Sequence, residues 1–131
     1  LRRNPVIMYL SDRFERPYPF SPAVVVDIEP VLETVVDLLD CHKSQFYEWL
    51  AYNFGYEDEL PAEGAARRDW LRGFYCRYVE PLADRHRPLL CDTYGSDRGA
   101  SIRWIEAFEL CEYGAPLTPD ERRRLFPFVP H

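Results

Sequence analysis

The residues best suited to chemistry in this 131-residue chain form a short polar string inside an amphipathic segment. The string is Asp40-Cys41-His42-Lys43-Ser44-Gln45. At helical spacing, His42 falls within the apolar stripe of the segment, and Gln45 projects about 60° away, at the edge of the stripe. A buried imidazole needs hydrogen-bond partners, because each unsatisfied group costs about 1–3 kcal/mol. The spacing therefore predicts either a hydrogen-bonded core histidine or a catalytic or ligating one.

A second set of candidate residues lies near the C-terminal end of the chain. Arg98 is followed by the run Ile102-Arg103-Trp104-Ile105-Glu106-Ala107-Phe108. If this run is a strand, Glu106 lies between Trp104 and Phe108 on one face, whereas a helix would place Glu106 on an exposed acidic edge. The alternation of residue types favours the strand. A carboxylate between aromatic rings, with an arginine nearby, suits the recognition of sugar hydroxyls.

Composition and motif spacing exclude several classes of function. The net charge of −6 and the isoelectric point near 5.1 argue against a general nucleic-acid binder. The three histidines and four cysteines show neither H-x-x-x-H nor C-x-x-C spacing, so no metal ligand is predicted within the chain. The sequence shows no signal peptide and no apolar run long enough to span a bilayer. These observations predict a cytoplasmic protein with reduced thiols.

The first half of the chain must supply the elements that position these residues. The apolar run from Pro5 to Leu10 predicts a strand buried on both faces, and residues 23–26 predict a second strand. Asp27 is suited to cap a long amphipathic helix that carries His42 and ends at Gly55. Its predicted apolar stripe consists of Leu32, Val35, Val36, Leu39, Phe46, Trp49 and Leu50.

The second half predicts further helices. After a linker at residues 56–64, a second amphipathic helix should break or kink after Glu80, because proline follows it. Residues 88–101 are predicted to be mostly loop. Thr118-Pro119-Asp120-Glu121 is a capping box that starts a short basic helix.

In this order, the elements resemble the GlcNAc-phosphatidylinositol de-N-acetylase-like family, also called the PIG-L or LmbE-like family. The matching segments are Pro5-Val6-Ile7-Met8-Tyr9, Val26-Asp27-Ile28, His42-Lys43-Ser44-Gln45, Arg98-Gly99 and Trp104-Ile105-Glu106-Ala107-Phe108. Together they span most of residues 5 to 110. The resemblance implies an α/β fold, namely the C-terminal portion of a Rossmann-like sheet with a long amphipathic helix. Residues 1–131 would be a single partial domain, and residues 56–95 a helical insertion.

The resemblance also implies a zinc-dependent N-deacetylase that hydrolyses the acetamide of an amino-sugar-like substrate. The family's A-H-P-D-D-E segment, which supplies zinc ligands and the general base, has no counterpart here. The expected partner is therefore an N-terminal portion of the same deacetylase that holds the zinc, and the isolated chain is expected to be inactive. The expected substrate-binding residues are Arg98, Trp104 and Glu106. His42 and Gln45 would support the site or the structure, and no catalytic residue is assigned to this chain.

Two alternatives to this interpretation stay open at the level of sequence. One is a non-catalytic interaction or assembly module with a deacetylase-derived fold. The other is a small independent α/β binding domain that matches the family motifs by chance. The sequence leaves the oligomeric state open, including a homo-oligomer.

Overall fold

Three short runs rich in β-branched and aromatic residues form an antiparallel sheet. The computed structural model describes residues 4–13 and 15–130. Its strands are β1 (Met8–Leu10), β2 (Val24–Asp27) and β3 (Ile105–Leu110), in the spatial order β1-β3-β2. The central strand is thus the last in the chain. The mixture of helices and sheet agrees with an α/β class, but the described residues show no Rossmann-like sheet.

The first strand lies at the edge of the sheet and exposes side chains on both faces, so the prediction that it is buried on both faces is wrong. It pairs only with β3, in a register that places Tyr9 opposite Glu109. Tyr9 is 47% exposed and Leu10 is 63% exposed. The second strand forms where it was predicted, with Val25 opposite Ala107, and both of these side chains are fully buried.

Six α-helices cover or flank this sheet in the part of the chain that the structure describes. They are α1 (Leu32–Asp40), α2 (Leu50–Phe54), α3 (Ala65–Arg85), α4 (Arg87–Tyr94), α5 (Ser96–Ser101) and α6 (Pro119–Leu125). A wide π-helical turn, Gln45–Trp49, leads into α2. Tight 3₁₀ turns occupy Glu29–Val31 and Glu57–Glu59.

The predicted long helix is interrupted at Cys41 and His42. Its end is as the sequence indicates, because Gly55 ends α2 with a left-handed φ of 68°. Its start is not: Asp27 is the last residue of β2, its carboxylate accepts a hydrogen bond of 3.0 Å from the Glu29 N–H of the 3₁₀ turn, and α1 begins only at Leu32 without a side-chain cap. Between these ends, the interruption is followed by a change in which positions are buried, to Tyr47 and Ala51, which sequence periodicity does not reveal.

Two features of the second half differ from the sequence-based expectations. The helix does not break at Pro81, which lies inside α3, and α3 continues to Arg85. The turn beyond Pro81 is held by packing, because Ala83 is fully buried in the core and Leu82 packs against it. Residues 88–101 are mostly helical, as α4 and α5, rather than loop. The predicted cap of α6 is confirmed, since Thr118 Oγ1 accepts a hydrogen bond of 3.2 Å from the Glu121 N–H.

The main core lies on one face of the sheet. Val25, Ile105 and Ala107 on that face pack with Ala83 of α3 and Leu90 of α4. Residues 56–95, the segment expected to be an insertion, therefore contribute two helices to the same core as the strands. The opposite face carries the even-numbered residues of β3, among them Glu106 and Phe108.

Candidate functional site

Glu106 is the most distinctive titratable residue in the described structure. It lies in the middle of β3, opposite Val26, so the predicted strand is confirmed. Its side chain is half-buried, and among residues 4–13 and 15–130 it makes no hydrogen bond and no ion pair. Burial raises the pKa of this carboxyl above its ordinary value. An unpaired carboxylate in such a position lowers the stability of the fold. The needs of folding therefore do not explain why Glu106 occupies this position.

Trp104 precedes Glu106 by two residues and therefore faces the same way. Its indole Nε1 is buried and has no hydrogen-bond partner among the described residues. The Arg103 guanidinium lies over the indole ring, 4.8 Å from the ring centroid. On the other side of Glu106, the Phe108 ring packs against Phe126 at 5.9 Å between centroids. This face of the sheet thus carries an unpaired acceptor, Glu106, and two residues away an unpaired donor that is enclosed.

Tyr75 of α3 is electrostatically coupled to this face. Burial, and secondarily the negative charge of Glu106, raise the pKa of Tyr75 to about 12. The phenol therefore stays protonated at neutral pH. It offers a hydrogen-bond donor within the electrostatic range of Glu106.

Arg98, the arginine nearby in the sequence, does not pair with Glu106. Its guanidinium forms ion pairs with Asp27, at the end of β2, and with Glu29 at 3.2 Å. Glu29 in turn accepts a hydrogen bond of 3.1 Å from the backbone N–H of Arg103. The hydrogen bond to Asp27, followed by the negative charges of Asp27 and Glu29, raises the pKa of Arg98. Arg98 thus links α5 to the end of β2. Because Glu29 also accepts a hydrogen bond from the Arg103 N–H, the same group of contacts includes the residues just before β3.

The polar string around His42 occupies a different surface. His42 and Gln45 are exposed, and their side chains make no hydrogen bond within the described part of the chain. The prediction that His42 is buried with a hydrogen-bonded ring is therefore wrong. After the helix interruption, the buried positions are Tyr47 and Ala51 rather than the predicted Phe46 and Trp49, and Trp49 is 56% exposed.

A polar cavity of about 350 Å³ lies beside this string and was not predicted. Tyr47 donates a hydrogen bond of 2.5 Å to Asp40 across the helix interruption. Burial and this bond raise the pKa of Tyr47. The Arg67 guanidinium lies 5.0 Å from the centroid of the Tyr47 ring. Arg68 is already neutralised by ion pairs with α1. The proximity of these groups could not be predicted from the sequence pattern, because it depends on the helix interruption that the Tyr47–Asp40 hydrogen bond spans.

Sequence reasoning also missed Tyr94 and Arg87, which tie α4 to the sheet and to α5. The Tyr94 hydroxyl accepts a hydrogen bond of 3.0 Å from the Asp27 N–H and donates one of 3.4 Å to the Val25 carbonyl. Arg87 donates to the carbonyl oxygens of Gly99 and Ile102 at 2.8 and 2.6 Å. Neither residue belongs to a motif that would have marked it.

The described residues contain no group of three His, Cys, Asp or Glu side chains that could hold a metal ion. None of their helices is long and apolar enough to cross a membrane. No protein-family model, curated protein or solved structure matches this chain. A function for this chain therefore has to be inferred from its residues and from the geometry of the Glu106 face.

Proposed function

We propose that this chain is the C-terminal portion of a zinc-dependent N-deacetylase that acts on the acetamide of an amino-sugar-like substrate. In this proposal, the chain forms one wall of the substrate pocket. An N-terminal portion with the H-P-D-D motif supplies the metal and the general base. The motif resemblance over residues 5 to 110 suggests the reaction, and the Glu106 face supports the location of the wall.

The observation that carries the proposal is the unpaired Glu106 carboxylate on the half-buried face of β3. Its neighbour Trp104 has a buried indole N–H that also lacks a partner among the described residues. A sugar hydroxyl can donate to the Glu106 carboxylate, so a bound sugar would satisfy this group, which otherwise destabilises the fold. The indole N–H is enclosed and would reach a sugar hydroxyl only if the Trp104 side chain turned outward.

The zinc ion would be bound outside this chain, because the described residues offer no suitable ligand group. When bound, zinc activates water for attack on a carbonyl carbon. Glu106 and Trp104 would bind and orient the sugar, which holds the acetamide in the geometry for attack. Arg98 would act indirectly, because its ion pairs with Asp27 and Glu29 fix the end of β2 and the loop before β3.

His42 and Gln45 would lie at the contact with the N-terminal portion. Both are exposed, and the segment around them also exposes Trp49, Tyr52 and Phe54, which are 56%, 73% and 63% exposed. Large exposed apolar surface is typical of a face that a partner covers. In the assembled enzyme, this contact would bury His42 and satisfy its ring.

The test is to co-express this chain with the N-terminal portion and to measure acetate release from N-acetylglucosamine and its 1-O-glycosides. Replacing Glu106 with Gln keeps the shape but removes the charge. We expect kcat/KM to fall about 10- to 100-fold, because a hydrogen bond to a charged group contributes about 1.5–3 kcal/mol. Zinc content should not change.

Glu112→Gln is the matched control, because Glu112 is exposed and follows the end of β3. It should leave kcat/KM within twofold of the wild-type value. An assembly that binds zinc but releases no acetate from these compounds would support the assembly-module alternative instead. Equal kcat/KM for Glu106→Gln and the wild type would show that Glu106 does not contribute to substrate binding.

A further inference from the structure

The two outer edges of the sheet differ in whether a further strand can pair with them. At the β2 edge, the Tyr94 hydroxyl bonds to two backbone groups, the Asp27 N–H at 3.0 Å and the Val25 carbonyl at 3.4 Å. The Tyr94 ring also packs against the core cluster that includes Leu90. A further strand could pair with β2 only if Tyr94 left this position, so this edge is closed.

The outer edge of β1 is open. The Cys111 N–H donates to the Ile7 carbonyl at 2.9 Å, which fixes the alternation of the β1–β3 pair. The N–H and C=O groups of Met8 and Leu10 therefore face outward, and they have no hydrogen-bond partner within residues 4–13 and 15–130. Proline and charged side chains commonly protect exposed edges, but Met8–Leu10 contains neither. An extended segment of another chain can therefore add to this edge as a strand.

A trough of about 470 Å³ lies beside this edge, and its lining indicates which side chain it would bind. The lining includes the rings of Tyr9, Tyr18 and Phe20 and the carboxylates of Asp12, Glu109 and Glu112. The described residues that line it include no lysine, arginine or histidine, and the three carboxylates form no ion pair with any described residue. Aromatic faces and carboxylates both attract cations. The trough is therefore suited to a basic side chain.

The register of the sheet decides which residue of an added strand would reach the trough. Tyr9 lies opposite Glu109, so both side chains point to the face on which the trough lies. A residue placed opposite Tyr9 on the outer side points to the same face. It would lie about 10 Å from Glu109, two strand spacings away, which a long basic side chain and the glutamate span together. The two neighbours of this residue point to the other face, beside Met8 and Leu10, and Leu10 is 63% exposed. The matching sequence is thus a lysine or arginine between two apolar residues.

A second copy of this chain does not match the edge. Residues 4–11, which include β1, contain no lysine or arginine, so a paired β1 would leave the carboxylates of the trough without a cation. Two-fold pairing of β1 with itself would also place both sets of carboxylates on the same face of the joined sheet. Like charges that face each other oppose association. The charges therefore favour a different protein as the partner.

We propose that the outer edge of β1 binds an extended segment of another protein, as an antiparallel strand in which a lysine or arginine stands between two apolar residues. The backbone groups of Met8 and Leu10 hold the strand, and the trough binds the basic side chain. Glu106 and Glu109 point to opposite faces of β3, so this site lies on the other side of the sheet from Glu106. The inference does not depend on the proposed function.

The first test is calorimetric titration of the 131-residue protein with the synthetic peptide acetyl-Thr-Thr-Val-Lys-Val-Thr-Thr-amide. We expect saturable binding, and a peptide with glutamine in place of lysine should bind at least tenfold more weakly. The triple variant Asp12→Asn, Glu109→Gln, Glu112→Gln removes the charges and keeps the shapes, so it should bind both peptides equally weakly. Glu57→Gln is the matched control, because Glu57 is exposed and does not line the trough. Equal affinity of the wild-type protein for the two peptides would overturn the proposal, even if the triple variant does not fold.

Methylation of the peptide backbone tests the strand pairing without a change to the protein. In an antiparallel pair, the N–H groups of the two valines point toward β1, whereas the lysine N–H points away. N-methylation of either valine should therefore weaken binding at least tenfold, and N-methylation of the lysine should leave the affinity within threefold. Equal affinities of these methylated peptides would overturn the pairing.

Amide hydrogen exchange locates the bound strand on the protein. The Tyr9 amide faces β3 and should exchange slowly with or without peptide, whereas exchange of the outward-facing Leu10 amide should slow at least tenfold at saturating peptide. A Leu10 amide that exchanges equally fast in the complex would overturn the assignment of the edge. Protection of the Leu10 amide without peptide, together with a dimeric mass, would assign the edge to a second copy and overturn the proposal.

Discussion

Replacing Gly99 with alanine should destabilise the protein, because α4 and α5 approach each other too closely to admit a methyl group. A Cβ at Gly99 would lie 2.5 Å from the Cα of Cys91, 2.6 Å from its N and 2.6 Å from the carbonyl carbon of Leu90. These are backbone atoms, so no side chain can rotate away. The shortest contact is about 0.9 Å below an ordinary contact at 3.4 Å. The two helices must therefore separate.

The expected loss of stability follows from two opposing effects. Overpacking of a buried site costs about 1–3 kcal/mol, and backbone contacts place Gly99→Ala at the upper end. Alanine would recover about 1 kcal/mol through its higher helix propensity. Separation of the helices also strains the 2.8 Å hydrogen bond from Arg87 to the Gly99 carbonyl. We expect a net destabilisation of about 2 kcal/mol, which corresponds to a fall in Tm of about 8 °C for a chain of this length.

Gly73→Ala is the matched control within the same protein. Gly73 lies inside α3, and the nearest atom to an added Cβ is the mobile end of the Arg77 side chain, at 3.2 Å. The same change should therefore stabilise the protein by about 0.5–1 kcal/mol. Urea unfolding of both variants, followed by far-ultraviolet circular dichroism, measures the difference. A Gly99→Ala protein as stable as the Gly73→Ala protein would refute the close approach of α4 and α5.

Three further changes test the electrostatic and hydrogen-bonding features of the fold. Tyr94→Phe should cost about 2 kcal/mol in urea unfolding, because it leaves a backbone donor and a backbone acceptor of β2 unpaired; Tyr113→Phe, at a residue 78% exposed, should cost nothing measurable. Burial raises the pKa of Glu106 above 4.5 in the folded state, so wild-type stability should fall as the pH rises through that folded pKa. Glu106→Gln should therefore be more stable than the wild type at pH 7 and lose this advantage below pH 4.5; a constant difference across the titration would contradict the prediction. Burial and the nearby Arg85 lower the pKa of His86 below 6.5, so stability should fall as the pH drops through 6.5 toward the folded pKa. His86→Gln should show a smaller fall between about pH 7 and pH 5, and an unchanged slope would mean that another group titrates there.

Local sequence patterns predicted the elements whose signals lie within a few residues. The β-branched run at Val24 formed β2, Gly55 took the left-handed position at the end of α2, and Thr118 capped α6. The alternation around Glu106 correctly indicated a strand. Each of these outcomes depends on side-chain shape, backbone freedom or a hydrogen bond to a near neighbour.

Features that depend on distant contacts could not be predicted in the same way. Periodicity placed His42 in a buried stripe, but the interruption at Cys41 turned it toward solvent, and a hydrogen bond between Tyr47 and Asp40 spans that interruption. Pro81 continues a helix because the following turn packs into the core. Arg98 was expected beside Glu106, yet the carboxylates of β2 and its following turn attract it more directly. Pairwise spacing does not reveal which of several carboxylates an arginine will reach.

The position of β3 at the centre of the sheet has a consequence for synthesis of the chain. Neither β1 nor β2 pairs with the other, so the strand partner that each has among the described residues is absent until residues 105–110 have left the ribosome. At elongation rates of about 5–20 residues per second, the apolar run ending at Leu10 stays unpaired for about 5–20 seconds. Its final partner, the strand that ends at Leu110, closes a loop of about 100 residues, which slows pairing further. Between the synthesis of Leu10 and that of residues 105–110, the nascent chain therefore exposes a β-strand to which a chaperone can bind.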